Sequence, residues 1–256
     1  MKKAPVKPNH RKSPNALKKW ARQLRSAVPY QVLCLYEMHR WPGPFSLKFS
    51  VNNPERESRH FERLCRKSFR RFNGPAARSR NLRGQVFTSA ELLRLRPRAS
   101  DDAVAALRVL GLALIEHTDF SYYLVAFVGN SVQIGGFLTL CRRVQGSRDF
   151  NTRDKRKVQK LLPELERILE DRAERLRRSD PAAWLEEHFR LGGLSRREVE
   201  VAKLALEGLP MKEMAEKLCV DVVTVRDHLK HIYPKLGVSS RAALMAQILR
   251  LFGILK

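Results

Sequence analysis

A cluster of polar and basic side chains in the last quarter of the chain has the chemistry of a DNA-reading surface. Its members, spread over residues 224–235, are Thr224, Arg226, Asp227, His228, Lys230, His231 and Lys235. An arginine can bridge the O6 and N7 atoms of guanine, and a lysine can contact guanine or a phosphate. A threonine hydroxyl can donate to a phosphate. We predict that these seven side chains contact duplex DNA, although His228 and His231 could instead pack along the edge of a helix.

One helix must present these side chains. Its apolar residues are Val225, Leu229, Ile232 and Leu236, at spacings of four, three and four, which predicts a single buried stripe. Asp221 can cap the start and Gly237 can end the helix. Pro234 cannot donate to the carbonyl of Lys230. We therefore expect a bent or tightened last turn beyond an intact first half.

Two shorter helices precede this one. Ser195 and Glu198 form an S-x-x-E capping box, and Gly208 is placed to end the helix that follows it. The segment KEMAEKL has the apolar spacing of a second short helix. Three short amphipathic helices joined by tight turns predict a helix-turn-helix.

The stretch LSRREVEVAKLALEGLPMKEMAEKLCVDVVTVRDHLKHIYPKLGVSSRAAL resembles the LuxR/FixJ-type DNA-binding domain along its whole length. The resemblance implies that the third helix enters the major groove, with Arg226, Asp227 and Lys230 facing bases and phosphates. It also implies homodimer contacts on the last helix, through the stripe of Leu244, Ile248 and Leu251. Docking of that helix against the N-terminal domain is the alternative.

Four residues depart from the family pattern. Pro210 provides no capping oxygen, Cys219 stands where the family has glycine, and Pro234 lies inside the third helix. Asp227 would be repelled by phosphates unless it pairs with Arg226 or Lys230, or accepts from a cytosine amine. These departures leave an alternative function open, in which the chain is an interaction protein that binds another regulator and not operator DNA.

The charge distribution indicates a polyanionic partner. The net charge is +24, and residues 1–100 contain 24 Lys and Arg against 5 Asp and Glu. From residue 191 onward, 11 basic residues face 7 acidic ones. A third possibility is therefore that the basic N-terminal region binds nucleic acid without sequence preference.

The N-terminal part reads as helix, strands, helices, hairpin and helix, which predicts an α+β domain on an antiparallel sheet. QVLCLYEM and FSLKFSV form one strand pair, and Gly129-Asn130 is expected as a two-residue hairpin turn. SRHFERLCRKSFRRF is expected as a basic helix. IGGFLTLCRR followed by FNTRDKRKVQKLLPELERIL resembles the last strand and closing helix of GAF/PAS-like sensor domains, with Phe150 and Asp154 in the approach between them. The resemblance implies a sheet that could hold a small-molecule ligand, with an empty structural domain as the alternative.

Other functional classes find no support in the sequence. No Ser/His/Asp or Cys/His cluster stands at usable spacing, so we expect no enzyme, and the four separated cysteines predict neither a metal site nor a disulfide framework. We expect no cofactor. The absence of an apolar span and of a signal peptide predicts a cytoplasmic protein that does not enter a membrane.

These patterns divide the chain as follows: a basic tail over 1–13, a GAF/PAS-like regulatory domain over 14–178, a linker over 179–192, and an all-α LuxR-type helix-turn-helix domain over 193–256. The predicted function is that of a dimeric DNA-binding transcription regulator, with RNA polymerase as a further candidate partner.

Overall fold

The computed structural model describes residues 13–38, 45–52, 63, 82–96, 102–116, 120–129, 135–143 and 148–255. The predicted basic tail and most of the predicted helix SRHFERLCRKSFRRF lie outside the described residues. Two parts follow each other along the chain, an α/β part up to the middle of a long helix and an all-helical part after it.

The N-terminal part is an antiparallel five-stranded sheet with helices on both faces, which confirms the predicted α+β domain on an antiparallel sheet. Its elements are α1 (Ser13–Ala27), β1 (Val32–Met38), β2 (Phe45–Val51), β3 (Val86–Thr88), α2 (Ser89–Arg94), α3 (Asp102–Glu116), β4 (Tyr122–Gly129), β5 (Gly135–Arg142) and the start of α4 (Thr152–Ser179). The strands lie in the order β2-β1-β5-β4-β3. Side chains alternate between the two faces of each strand, so each face can bury its own apolar set.

One face of the sheet packs against α2 and α3, and the other against α1 and α4. In β1, Cys34 and Tyr36 point to the first face, whereas Leu33 and Leu35 point to the second. Gly136 in β5 lies so close to β1 that a Cβ there would collide with the carbonyl oxygen of Tyr36. Two buried faces explain why these strands are almost continuously apolar.

Two details differ from the sequence prediction. The strands β4 and β5 pair Gly129 with Gly135, which places five residues between them in place of a two-residue turn at Gly129-Asn130. The register is set by burial of alternate residues on both faces. The short strand β3 and helix α2 were not predicted. Thr88 and Glu91 form a capping box at the start of α2.

The C-terminal part consists of α5 (Pro181–Leu191), α6 (Arg196–Leu206), α7 (Met211–Leu218), α8 (Val222–Leu236) and α9 (Arg241–Leu251). Its core contains Val199, Ala202, Met214, Val225, Ile232 and Leu244. We expected a linker over 179–192, but residues 181–191 form α5. Asp180 caps α5 through a side-chain bond to the amide of Ala183, and Trp184 and Phe189 are buried in the C-terminal core. Burial of these two aromatic side chains makes the segment a part of the helical domain.

Candidate nucleic-acid interface

Helix α8 is held to the domain by the predicted stripe. Val225, Leu229, Ile232 and Leu236 are all buried, and Val225 and Ile232 are fully inaccessible. The stripe fixes the rotation of the helix about its axis. The opposite side of α8 is consequently turned to solvent.

The outward side of α8 carries most of the predicted site. Thr224, Arg226, Asp227, Lys230 and His231 are exposed, whereas His228 is half-buried at the edge of the helix. A residue that we did not predict joins them, because Val223 is 60% exposed. An exposed apolar side chain at the start of the helix could contact a thymine methyl group. A prediction that uses apolar spacing to assign every valine to the core does not find an exposed valine of this kind.

Asp227 has a partner on its own helix. The Nζ atom of Lys230 lies 3.4 Å from a carboxylate oxygen of Asp227, and both side chains are more than half exposed. An exposed pair of this kind contributes little to stability and can rearrange. The Asp227 carboxylate, which we expected phosphates to repel, can therefore lie beside a polyanion because Lys230 partly neutralises its charge.

Lys235 does not lie on the open surface as predicted. Its Nζ atom contacts both carboxylate oxygens of Glu198 at 2.6 Å, and the Lys235 side chain is 39% exposed. Glu198 also accepts from the amide of Ser195 at 2.7 Å in the capping box of α6. The charge of Lys235 already binds a buried carboxylate, and the contact of Lys235 with DNA stays a prediction.

The partners of Glu198 depress the pKa of its carboxyl. Burial by itself would raise that pKa, but the Lys235 bond and the two capping bonds to Ser195 outweigh burial and hold it below its ordinary value. A carboxyl whose folded pKa is depressed stabilises the fold above its unfolded pKa. That contribution is lost as the pH falls through the folded pKa.

We expect Glu198→Gln to lower the free energy of unfolding at neutral pH by about 1–3 kcal/mol, since a hydrogen-bonded charge is lost. The deficit should shrink as the pH falls below the unfolded pKa of about 4.3 toward the depressed folded pKa, and disappear once the wild-type carboxyl is protonated in the folded protein as well. Urea unfolding of both proteins across this pH range measures the effect. Glu216→Gln removes an exposed carboxylate of α7 and is the matched control. A deficit that is independent of pH would contradict the assignment.

The turns on either side of α7 contain Pro210, Cys219 and Asp221. Pro210 is the N-cap of α7 and makes no side-chain capping bond, and Asp221 is the N-cap of α8 with none either. Asp221 was expected to cap with its side chain and does not. Cys219 adopts the left-handed conformation with φ 52°, which costs roughly 1–2 kcal/mol for a residue other than glycine.

Two arginines hold the turns on either side of α7 by satisfying free carbonyl groups. A guanidinium nitrogen of Arg197 donates to the carbonyl of Leu218 at the end of α7. Arg241 donates to the carbonyls of Ala205 and Leu209, both at 2.8 Å, where α6 ends. Helix ends leave carbonyls without intrahelical partners. These bonds therefore join α6 to the end of α7, and α9 to the end of α6.

Pro234 leaves the outward residues undisturbed. Helix α8 continues through it to Leu236, and Gly237 ends the helix with φ 71°. The amide of Gly237 donates to the carbonyl of Pro234, three residues back. This i to i−3 bond is the tightened end that was predicted. The segment with Arg226 and Lys230 is a regular helix.

The three residues predicted at a dimer interface are buried inside their own domain. Leu244, Ile248 and Leu251 are no more than 6% exposed because they pack into the core of their own domain. At the end of α9, the Phe252 ring packs edge-on against Trp184 of the same chain, with ring centroids 5.0 Å apart. The exposed apolar residues near this end are Ile254, at 68%, and Leu255, at 44%.

The two parts of the chain are joined by helices without an intervening coil. Asp180 ends α4 and caps α5, so that the two helices meet at one residue. Lys48 of β2 pairs with Glu37 of β1 and with Glu187 of α5. Arg177 of α4 donates to the carbonyl of Leu251 at 2.9 Å. These contacts join the sheet domain directly to the helical domain, so a movement of one domain could reach the other.

A cavity of about 220 Å³ lies beside this junction. Its lining contains Glu37, Glu166, Glu170, Glu174, Glu187 and Trp184. Most of these carboxylates already have basic partners, such as Arg83 for Glu166 and Arg178 for Glu174. The charge of the lining is therefore largely compensated within the protein.

Metal-binding clusters and membrane-spanning helices are absent from the described part of the chain. No group of three His, Cys, Asp or Glu there could hold a metal ion. None of the described helices is both long enough and apolar enough to cross a bilayer. The exposed surface of α8 is therefore the candidate site in the described part of the chain, beside which no metal site or membrane-spanning helix is found.

Comparison with known proteins agrees with this geometry. Residues 193–247 match the family model described as bacterial regulatory proteins, luxR family. An HTH-type transcriptional regulator of Mycobacterium tuberculosis is 42% identical over 59 residues, which are 23% of this chain and 7% of that protein. The oxygen regulatory protein NreC of Staphylococcus aureus is 46% identical over 57 residues, which are 22% of this chain and 26% of that protein. The chain thus covers about a quarter or less of each relative.

Among solved structures, the crystal structure of Escherichia coli SdiA aligns with 97% of this chain and 94% of its own, at 17% identity and a TM-score of 0.46. The predicted luxR-type helix-turn-helix domain is confirmed over residues 193–247, and the sequence relatives named above are described as an HTH-type transcriptional regulator and an oxygen regulatory protein. The GAF/PAS-like interpretation of the N-terminal domain stays a prediction.

Proposed function

We propose that the chain is a transcription regulator that reads promoter DNA through the outward side of α8, as a cytoplasmic homodimer controlled by its N-terminal domain. The observation that carries the proposal is the presentation of Arg226 and Lys230, one helical turn apart, on a helix whose opposite side is buried. Both side chains are exposed, so a duplex could reach them without any change in the fold. An arginine donates in the geometry that guanine accepts.

The neighbours of these two residues support readout of bases. Val223 offers an apolar contact and Thr224 a hydroxyl at the start of α8, where recognition helices approach base edges. Asp227 is the feature that favours the alternative function, in which the domain binds another regulator and not DNA. Its pairing with Lys230 reduces the repulsion on which that alternative depends.

The homodimer is proposed through the end of α9. Leu244, Ile248 and Leu251 are no longer candidates because they are internal, whereas Ile254 and Leu255 are exposed apolar residues at the same end of the domain. A two-fold dimer would place two copies of α8 on successive half-sites of one DNA face.

Regulation is proposed through an N-terminal domain of the GAF/PAS-like type. The hydroxyl of Tyr123 is buried on the sheet face that packs against α2 and α3, and it has no hydrogen-bond partner among the described residues. Burial raises the pKa of Tyr123, so the hydroxyl stays protonated and could donate to a small ligand. Helix α4 would carry the response to α5, and RNA polymerase is a further proposed partner.

The test is a genome-wide DNA pull-down with the intact protein and an Arg226→Ala, Lys230→Ala variant. Loss of two good base contacts is expected to weaken specific binding by about 1–3 kcal/mol each, roughly fivefold to more than a hundredfold per contact. Both side chains are exposed, so the fold should be unaffected.

A matched control is Arg178→Ala, Arg190→Ala, which removes the same charge from exposed positions on α4 and α5. The proposal holds if discrete sites vanish only in the α8 variant. Recovery of identical sites with both variants would rule out reading by α8 and favour the interaction protein.

A further inference from the structure

The outer surface of the N-terminal domain contains two helices that lie side by side. The indole nitrogen of Trp20 in α1 donates to the carbonyl of Leu161 in α4 at 3.0 Å. The ammonium of Lys157 in α4 donates to the carbonyl of Ala27 at the end of α1 at 2.8 Å. Later residues of α1 thus meet earlier residues of α4, and the two helices run antiparallel over the same sheet face.

Exposed cations line both of these helices. They are Lys18, Lys19 and Arg22 on α1 and Arg153, Arg156 and Lys160 on α4, and together they are called the α1/α4 basic face. Within the described part of the chain, none of the six forms an ion pair. Helix α1 contains no Asp or Glu. The described residues therefore do not neutralise the positive charge of this face.

Some exposed arginines elsewhere in the molecule form ion pairs with carboxylates. Arg178 lies 2.6 Å from Glu174 near the end of α4, and Arg190 lies 2.8 Å from Glu186 in α5. The overall basic composition does not by itself explain the α1/α4 basic face, because the chain pairs other exposed arginines with carboxylates. On the α1/α4 basic face, six cations without an ion pair among the described residues lie in two neighbouring rows.

The dimensions of the rows suit a polyanion. Arg153 and Lys160 are seven residues apart, about 10 Å along an α-helix, and packed helices lie about 8–10 Å from each other. Duplex DNA carries one negative charge per roughly 1.7 Å of its axis. Each cation in the two rows could meet a phosphate of a single DNA backbone segment.

We propose that the α1/α4 basic face binds the phosphate backbone of duplex DNA outside the segment that α8 reads. The inference rests on the proposed function only for the presence of that duplex. It adds a second contact with DNA, without base specificity, in the N-terminal domain. The proposed function assigns that domain to regulation. Once one site is bound, the tethered second site meets DNA at a high effective concentration.

The surface favours DNA over an anionic membrane. Helices that lie on a membrane bury large apolar side chains beside their basic residues. The exposed large apolar residues of the described chain are Leu93, Leu112, Met211, Val223, Ile254 and Leu255, and none belongs to α1 or α4. The face therefore has charge but no apolar anchor.

The test compares two variants of the full chain with equal loss of charge. The face variant is Arg22→Gln, Arg156→Gln, Lys160→Gln. The control is Arg94→Gln, Arg96→Gln, Arg108→Gln, which changes exposed cations of the segment containing α2 and of α3, on the opposite side of the sheet. Affinity for a duplex several helical turns long is measured over a range of NaCl concentrations.

We expect the salt slope of the face variant to fall by about 0.9 for each phosphate that the variant no longer neutralises, with the control close to wild type. Equal slopes in the face variant and wild type, or equal reductions in both variants, would overturn the inference. Binding of the face to anionic vesicles, with no change in DNA affinity, would overturn it in favour of a lipid surface.

The Arg226→Ala, Lys230→Ala variant is measured beside them to separate the two proposals. If its sequence preference is unchanged, reading by α8 fails, while a reduced slope in the face variant still supports binding by the α1/α4 basic face. If sequence preference disappears with an unchanged slope in the face variant, only the second proposal fails.

Discussion

Replacing Trp184 by alanine is expected to lower the free energy of unfolding of the helical domain by about 3–5 kcal/mol. The side chain is 2% exposed and lies in the core that also holds α8. Its removal leaves a cavity that the surrounding helices cannot fill without shifting. A loss of this size is a large fraction of the stability of an ordinary domain.

The functional consequence should follow from the position of Trp184 and not from any contact with DNA. Its ring stacks on His188 at 5.5 Å and meets Phe252 edge-on, so it connects α5 to the end of α9. Local opening of this core should release the stripe that orients α8. We therefore expect Trp184→Ala to weaken DNA binding while Arg226 and Lys230 are both still present.

Hydrogen exchange resolved by segment is the appropriate measurement, because it reports opening of α5–α9 separately from the sheet. Trp184→Phe is the matched control. The indole nitrogen has no hydrogen-bond partner among the described residues, so phenylalanine loses mainly volume. Unchanged exchange in α8 with Trp184→Ala would show that α5 does not stabilise the reading helix.

The role of Trp184 also shows where sequence reasoning stops. Helices α6 and α8 were predicted because their apolar residues recur with the helical period, and a local pattern is sufficient for that. Trp184 belongs to PAAWLEEHFRL, which was assigned to a linker. Helix α5 stabilises the domain through the contacts of Trp184, and these include the ring of Phe252 at the far end of the domain.

Side-chain partners far apart in sequence were the second limit. The helical period placed Lys235 on the outward side of α8, and the capping box placed Glu198 at the start of α6. Glu198 does cap α6, but Lys235 is only partly exposed because it reaches back to Glu198. Nothing in the sequence indicates that residues 37 positions apart meet at 2.6 Å. Of the predicted side chains, Arg226 and Lys230 lie on the exposed surface and Lys235 is held by Glu198, while Val223 is an additional exposed candidate.

Short elements were the third limit. Strand β3 has three residues, too few to establish an alternation, and it is paired only with β4. Longer strands such as β1 were predicted from sequence, although both of their faces are buried. Length and the flanking turn residues were sufficient for them.

Arg142 is the residue of the sheet domain whose loss should have the largest effect. We expect Arg142→Met to lower the free energy of unfolding of that domain by about 3–5 kcal/mol, because one member of a buried ion pair is removed. Its guanidinium lies 3.4 Å from a carboxylate oxygen of Asp154, and both side chains are at most 5% exposed. It also donates to the carbonyl of Pro29 at 2.8 Å and stacks over the Phe150 ring at 3.9 Å.

Phe150 and Asp154 were singled out in the sequence as the approach to the closing helix, and Arg142 explains their spacing. One guanidinium joins β5, the segment before α4 and the loop after α1. A second variant, Arg142→Met, Asp154→Asn, should recover part of the loss, because it removes a buried carboxylate left with only the more distant Arg148, at 3.7 Å, and retains a polar cap for α4. Failure of the double variant to recover stability would mean that the missing carbonyl and ring interactions dominate over charge burial.

The two Arg142 variants also test whether the sheet domain controls DNA binding. Arg142 lies in β5, outside the core that orients α8, so independent domains would leave the affinity for DNA unchanged. The shared residue Asp180 between α4 and α5, together with the Lys48 pair to Glu187, predicts instead that loosening the sheet domain changes it. Affinity measured beside stability for the single and double variants separates these outcomes. A change in affinity that recovers with stability would establish that the N-terminal fold acts on α8 through the joined helices.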